Sequence, residues 1–287
     1  MRKQLFNIIR RIVNKIPRGK SAIINGSLAV LGPQFMGTIL VDGRKFWIEE
    51  INSLNRSIFF TGVYETPTTE LVKKLVKPGM NVLDVGANFG WYTILMSSLV
   101  GPSGRVFAFE ISPRLAEQLQ KTVQLNKGDN IEVVAKGLAD KGGPLEFFDD
   151  KEHGSANISK KLLGVNVQSN MANMIRLDNF VTQNRIPKID FIKCDIDGAE
   201  ILFLQGGGDI FKALPPMIIE INEEAQQAFG SSAQQLTETL TGYGYRLFDI
   251  TSTETLHKFE KTKKSSNVLC ISPEDIPSIG KMINLEL

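Results

Sequence analysis

Apolar residues Leu5, Phe6, Ile8, Ile9, Ile12, Val13 and Ile16 recur at spacings of three and four. This spacing predicts an amphipathic helix that Pro17 and Gly19 bring to an end. From Ser21 to Tyr64 the pattern shifts to short β-like runs. Thr38 to Val41 and Lys45 to Ile48 flank Asp42-Gly43, a dipeptide that accepts the positive φ angles of a tight hairpin. Thr66 to Val76 then has helical spacing, with Pro67 in its first turn and Lys77-Pro78-Gly79 at its end.

After Gly79 strand and helix alternate. Strands are expected at Asn81 to Val85, Arg105 to Phe109, Ile131 to Ala135, Leu145 to Phe148, Asp190 to Lys193 and Met217 to Ile221. Helices are expected at Trp91 to Val100, Arg114 to Leu125, Ala199 to Leu214 and Ala233 to Leu240. Two closing strands, Tyr245 to Ile250 and Asn267 to Ile271, are joined by the polar stretch Thr251 to Ser266. This rhythm predicts an α/β fold whose mainly parallel sheet is covered on both faces and carries an antiparallel hairpin at one edge. The chain divides into a basic helix (1–20), a β-rich cap (21–65), the α/β domain (66–272) and a C-terminal tail (273–287).

Composition narrows the classes. Of 287 residues 42% are hydrophobic and 22% charged, enough apolar material for a sizeable core and too much for a disordered chain. The first twenty residues hold Arg2, Lys3, Arg10, Arg11, Lys15, Arg18 and Lys20 and no acid, so the rest of the chain is net acidic although the whole is +2. A nucleic-acid partner would need positive charge spread over a face, so none is expected. The helix suits either packing on the domain behind it or peripheral contact with an anionic membrane. No apolar run lacks interruption for long enough to span a bilayer or form a signal peptide, so a cytoplasmic chain, peripheral at the membrane at most, is expected. Cys194 and Cys270 show no CxxC spacing, which argues against a disulfide framework or a thiolate zinc site.

In an open α/β sheet, ligands bind beyond the carboxyl ends of the strands. Those ends are Asp84 to Gly90, Glu110, Gly137 to Asp140, Asp195 to Asp197 and Glu220 to Asn222, nearly all acidic or glycine. Gly86 and Gly90 frame a tight turn where backbone can approach a ligand. Asn88 stands where a dinucleotide fingerprint has its second glycine, and Asp84 would repel a pyrophosphate but attract an ammonium. Glu110 has the position from which a carboxylate accepts hydrogen bonds from both ribose hydroxyls. Asp140 either receives the adenine amino group or shapes the turn Asp140-Lys141-Gly142-Gly143. An adenosine ligand carrying an amino acid fits these positions.

The segments "VLDVGANFGWYT", "GRVFAFEISPR", "IDFIKCDIDGAE" and "PPMIIEIN" resemble, in order, the motifs of the FkbM-type family of class I S-adenosylmethionine-dependent methyltransferases. The resemblance runs from about Gly62 to Ser272. It implies a Rossmann-like, seven-stranded sheet and S-adenosyl-L-methionine as methyl donor. It also implies an O-methyltransferase whose small-molecule or glycan acceptor offers a hydroxyl, as in sugars and secondary metabolites. Carried onto this sequence, the cofactor-binding positions are Asp84, Gly86, Asn88, Gly90, Tyr92, Thr93, Glu110, Ile111, Asp140 and Asp195.

Methyl transfer needs in-line geometry, exclusion of water and in some cases a base. Asp195, directly after a strand, is the first candidate base. His153, in the polar loop "DDKEHGSANIS", is the second, because an imidazole titrates near neutrality. Glu200 suits a helix N-terminus. Asp195, Asp197, Glu220 and Asn222 offer oxygens to Mg²⁺, as in metal-dependent catechol-type methyltransferases, but carboxylates at sheet ends also serve cofactor positioning alone, and no metal ligand is assigned. Two rival classes are a nicotinamide-dependent oxidoreductase, opposed by the missing G-x-G-x-x-G, by Asp84 and by the terminal strand hairpin, and a non-catalytic module of the same fold.

Overall fold

The computed structural model describes residues 37–49, 52, 55, 58, 62–150, 155–159, 167–260 and 265–286. The predicted basic helix and His153 lie outside the described residues. In chain order the elements begin with β1 (Gly37–Val41), β2 (Arg44–Ile48), α1 (Thr66–Leu75), β3 (Asn81–Val85), α2 (Trp91–Val100), β4 (Arg105–Phe109), α3 (Pro113–Leu125) and β5 (Ile131–Val134). There follow β6 (Gly137–Leu138), β7 (Gly143–Asp150), β8 (Ser155–Asn157), β9 (Gln168–Ile175), α4 (Leu177–Gln183), β10 (Phe191–Cys194), α5 (Glu200–Gln205), α6 (Asp209–Lys212) and β11 (Met217–Asn222). The chain closes with α7 (Glu223–Ala228), α8 (Ala233–Tyr243), β12 (Arg246–Asp249), β13 (Thr255–Lys258), β14 (Ser265–Ile271), α9 (Ile276–Ile279) and β15 (Asn284–Glu286).

The main sheet has the order β15-β13-β12-β14-β11-β10-β3-β4-β5. Its strands from β5 to β11 are parallel, and β14 then runs antiparallel to both β11 and β12. This is the expected class I methyltransferase sheet, with seven strands from β5 to β12, lengthened to nine by two edge strands. The extra pair comes from segments read as linker and tail. β13 uses one buried side chain, Leu256, and β15 pairs with it in parallel. The closing hairpin therefore does not form the edge: β14 lies inside the sheet.

Alternation along the central strands places charge on one face. Leu83 and Val85 of β3 pack with Ile192 and Cys194 of β10 on one side of the sheet, while Val82 and Phe191 join the core on the other. Asp84 and Lys193 fall on that second side, directly opposite each other in the β3–β10 register. The β1–β2 hairpin turns at Asp42-Gly43 as the dipeptide predicts. Ile39, Val41, Phe46 and Ile48 share the core of α1 and α2, and the Phe46 ring stacks on Trp91 at 5.7 Å between centroids. Hairpin and α/β domain thus bury one continuous apolar cluster.

A separate four-stranded sheet, β6-β9-β7-β8, stands beside the parallel strand ends. Here strands enter the segment read as the polar loop around His153, since β7 runs on to Asp150 and β8 takes Ser155–Asn157. β9 spans Gln168–Ile175 and pairs antiparallel with β7 over Gly143 to Asp149. The expected helix at Ala199 to Leu214 is divided into α5 and α6 by Gly206-Gly207-Gly208, and a Cβ on Gly206 would lie 2.1 Å from the Ala139 carbonyl oxygen.

Candidate active site

The turn after β3 is held against the end of β4. The Gly86 and Ala87 amides both donate to the Phe109 carbonyl, at 3.0 and 2.9 Å. Gly86 has φ +83°, and a Cβ there would lie 1.9 Å from the Asp195 carbonyl oxygen, so only glycine fits. Asn88 also adopts a left-handed backbone, at φ +49°, a conformation asparagine tolerates better than most residues. Its amide donates to Glu110 Oε2 at 2.8 Å, and the Ser112 amide donates to Glu110 Oε1 at 2.9 Å. Each carboxylate oxygen keeps a lone pair for a further donor.

Glu110 is only 4% exposed, and burial raises its carboxyl to about 7 despite the backbone donors. Asp84, 2% exposed, is raised to about 6 by burial, opposed by the Thr93 hydroxyl that donates to it at 2.5 Å. Tyr92 donates its hydroxyl to Glu65 at 2.6 Å. Tyr92 and Thr93 thus face α1 and β3 from the first turn of α2.

Two cavities meet here. The first, about 590 Å³, is bounded by Gly86, Asn88, Glu110, Ile111, Leu138 and Asp195 among others. The second, about 800 Å³, is bounded by Tyr64, Asp84, Trp91, Tyr92, Lys193 and Glu220. Gly86, Asn88, Ser155, Asp195 and Asp197 belong to both walls. The sites expected at Asp84, Gly86, Asn88, Tyr92, Glu110, Ile111 and Asp195 therefore converge on one paired cavity. Gly90 lies behind it, where a Cβ would meet Leu119 at 2.4 Å, and Thr93 acts through Asp84. Asp140 does not line either cavity; Gly137 and Leu138 take the wall at that strand end, and the Asp140 carboxylate lies 3.9 Å from Lys141 Nζ.

Lys193 is the residue the motifs alone do not flag. It is 1% exposed, and its ammonium lies 3.1 Å from Asp195 Oδ2 and 5.3 Å from the Tyr92 ring centroid. Burial opposes its charge, but Asp195, Glu65 and Glu220 outweigh that and raise its pKa. A lysine inside a wholly buried strand is the available sequence signal, since such a charge requires partners. Tyr64 and Glu65 carry no comparable signal.

Asp195, Asp197 and Glu220 bring carboxylate oxygens within 4.8 Å of one another. Burial and the neighbouring Asp195 charge raise both Asp197 and Glu220. The Lys193 ammonium already neutralises part of this cluster, and Asn222 is engaged as the cap of α7, accepting from the Ala225 amide. The three carboxylates could hold a divalent cation, with which the Lys193 ammonium would compete at Asp195. Glu200 is structural: its oxygens accept from the Gly198 amide at 3.2 Å and from Gln226 Nε2 at 2.5 Å, fixing the turn after Asp195.

Comparison with known proteins adds the family. A Protein-L-isoaspartate O-methyltransferase of Aeropyrum pernix is 40% identical over 68 residues, 24% of this chain and 26% of that protein. A Ribosomal protein L11 methyltransferase of Bacillus cereus is 33% identical over 105 residues, 35% of this chain and 33% of that protein. The chain thus spans about a quarter to a third of the length of these curated relatives. Among solved structures, Aeropyrum pernix fibrillarin in complex with S-adenosyl-L-methionine aligns over 84% of each chain with a TM-score of 0.39 and 14% identity. The family model described as Methyltransferase FkbM domain matches residues 84–247, from the carboxylate of β3 to the second residue of β12, and the chain belongs to that family.

Proposed function

We propose that this chain is an S-adenosylmethionine-dependent O-methyltransferase acting on a hydroxyl of a glycan or secondary metabolite, with residues 66–272 as its catalytic domain. The observation that carries the reading is the meeting of two cavities at Asp195. One holds a buried carboxylate, Glu110, within a glycine-lined cradle, and the other is aromatic and charged. Glu110 would hold the ribose hydroxyls, with Ile111 and Leu138 against the base, and Asp84 would attract the amino-acid end through its charge. Bound there, S-adenosylmethionine would supply an electrophilic methyl group. Asp195, oriented by Lys193 at 3.1 Å, would hold the acceptor hydroxyl in line and take its proton, while Tyr64 and Trp91 keep water away. His153 is the alternative base. The basic segment 1–20 would bring the enzyme to anionic membrane surfaces.

Calorimetric titration with S-adenosylhomocysteine and, separately, with NAD tests the cofactor. Binding of the first and not the second supports a methyltransferase. The reverse result supports an oxidoreductase, and binding of neither supports a non-catalytic module.

A further inference from the structure

A third cavity, about 750 Å³, lies between the β1–β2 turn and the first turn of α1. Tyr64 and Trp91 form part of its wall and part of the wall of the cavity holding Asp195 and Lys193, so the two cavities adjoin at this aromatic partition. That partition is well fixed. Trp91 Nε1 donates to Thr69 Oγ1 at 3.1 Å, which itself donates to the Tyr64 carbonyl at 2.7 Å, and the Tyr64 ring meets Trp91 edge-on at 5.9 Å.

On the hairpin side of this cavity stands Arg44, 8% exposed. Its guanidinium lies 4.6 Å over the Trp91 ring, and Nη2 donates to Asp42 Oδ2 at 3.1 Å. Nη1 is buried and has no hydrogen-bond partner among the described residues. A buried donor left unmade costs a desolvation penalty, larger when the group is charged. Burial lowers the pKa of Arg44, and the Asp42 charge opposes that only in part. The opposite wall is the start of α1, at Thr66; the N-cap residue Glu65 makes no side-chain cap, its carboxylate accepting from the Tyr92 hydroxyl instead, and the first turn holds no acid. Helix N-termini favour negative charge. The other charged groups on the wall, Glu70 and Lys73, pair with each other at 2.7 Å. Both acids are thus engaged by cations, while one guanidinium N–H remains open.

We propose that this cavity is the distal part of the acceptor site, where Arg44 Nη1 and the start of α1 receive a carboxylate or phosphate group carried by the methyl acceptor. The proposal rests on the methyltransferase reading above. It deepens that reading from a hydroxyl-bearing acceptor to an anionic one. The partition places the anion on the far side of Tyr64 and Trp91 from Asp195, so the acceptor must carry its charge at some distance from the hydroxyl that is methylated.

The test needs no identified acceptor. Glucuronate, inorganic phosphate and neutral glucose are titrated into the full-length chain saturated with S-adenosylhomocysteine, with binding read from tryptophan fluorescence, to which Trp91 beneath the guanidinium contributes. The expected result is saturable binding of glucuronate or phosphate at about the millimolar level, with no response to glucose. Preference for glucuronate points to a uronic-acid acceptor, and preference for phosphate to a phosphorylated one. Arg44→Met should weaken anion binding at least about tenfold while S-adenosylhomocysteine binding is kept. Equal binding of glucose, or an Arg44→Met variant that binds anions normally, overturns the proposal. If Arg44→Met fails to fold, Lys73→Met at the cavity rim decides. A loss of roughly twofold or more in anion affinity supports the site, and no change overturns it. Anion binding without any S-adenosylhomocysteine binding leaves the anion site standing and removes the methyltransferase reading instead.

Discussion

If Glu110 holds the ribose, as proposed, cofactor affinity should depend on pH. In the empty site its carboxyl is raised to about 7 by burial, while an unfolded chain would ionise it at the ordinary value of 4.5. Ribose hydroxyls donate to the carboxylate, so cofactor binding should select the ionised form and expel a proton. With a midpoint near 7, the ionised fraction falls from about nine-tenths at pH 8 to about one-tenth at pH 6, and S-adenosylhomocysteine affinity should fall roughly tenfold over that range. Asp84, raised to about 6, should add a further loss below pH 6. Calorimetry in two buffers of different ionisation enthalpy would report the released proton directly. Glu110→Gln, which cannot titrate, should bind more weakly at pH 8 and show a nearly flat profile from pH 8 to pH 6. An unchanged wild-type affinity across that range, with no proton released, would refute the assignment of Glu110 to the ribose.

The same carboxyl also contributes to stability in a pH-dependent way. Between 4.5 and about 7 the unfolded chain releases a proton that the folded chain keeps, so rising pH favours unfolding. The gap corresponds to roughly 3 kcal/mol for this group, fully lost once pH exceeds about 7. Saturation with S-adenosylhomocysteine should offset part of that loss.

Two further outcomes are expected. Asp195→Asn should leave S-adenosylhomocysteine affinity nearly unchanged while turnover with the true acceptor falls by roughly 10²-fold or more, the scale of a lost positioned base; normal turnover would leave positioning alone, or His153, to do the chemistry. Deleting Met1 to Lys20 should abolish sedimentation with anionic liposomes at low salt, and an intact chain that does not sediment would assign those residues a packing role.

Much of this site was legible because its signals are local. The turn at Gly86 to Gly90 is marked by glycines where the backbone needs them, and β3, β4, β10 and β11 by apolar runs buried on both faces. What escaped was set by tertiary pairing. β9 carries Gln168, Ser169 and Asn170 at exposed or half-exposed positions and buries only Ala172 and Met174, so its pattern reads as loop until β7 supplies the ladder. β13 hides in a polar stretch for the same reason. The two readings of Asp140 stay apart only in three dimensions, because a turn acid and a ligand acid look alike in sequence, and the path of β6 brings Gly137 and Leu138 to the cavity wall. Arg44 gave no sign of its role, since its partner Trp91 is distant in sequence.

The contact between Gly86 and Asp195 has a consequence for how such an enzyme diversifies. With 1.9 Å between an imagined Cβ and the opposing carbonyl, the wall shared by the two cavities is bare main chain at Gly86. At Gly86 no side chain can be added, so a substitution there would disturb both cavities together. Under the proposed reading, acceptor preference can drift from the opposite side, where Arg44, Tyr64 and the β1–β2 hairpin present exchangeable groups away from the cavity holding Glu110.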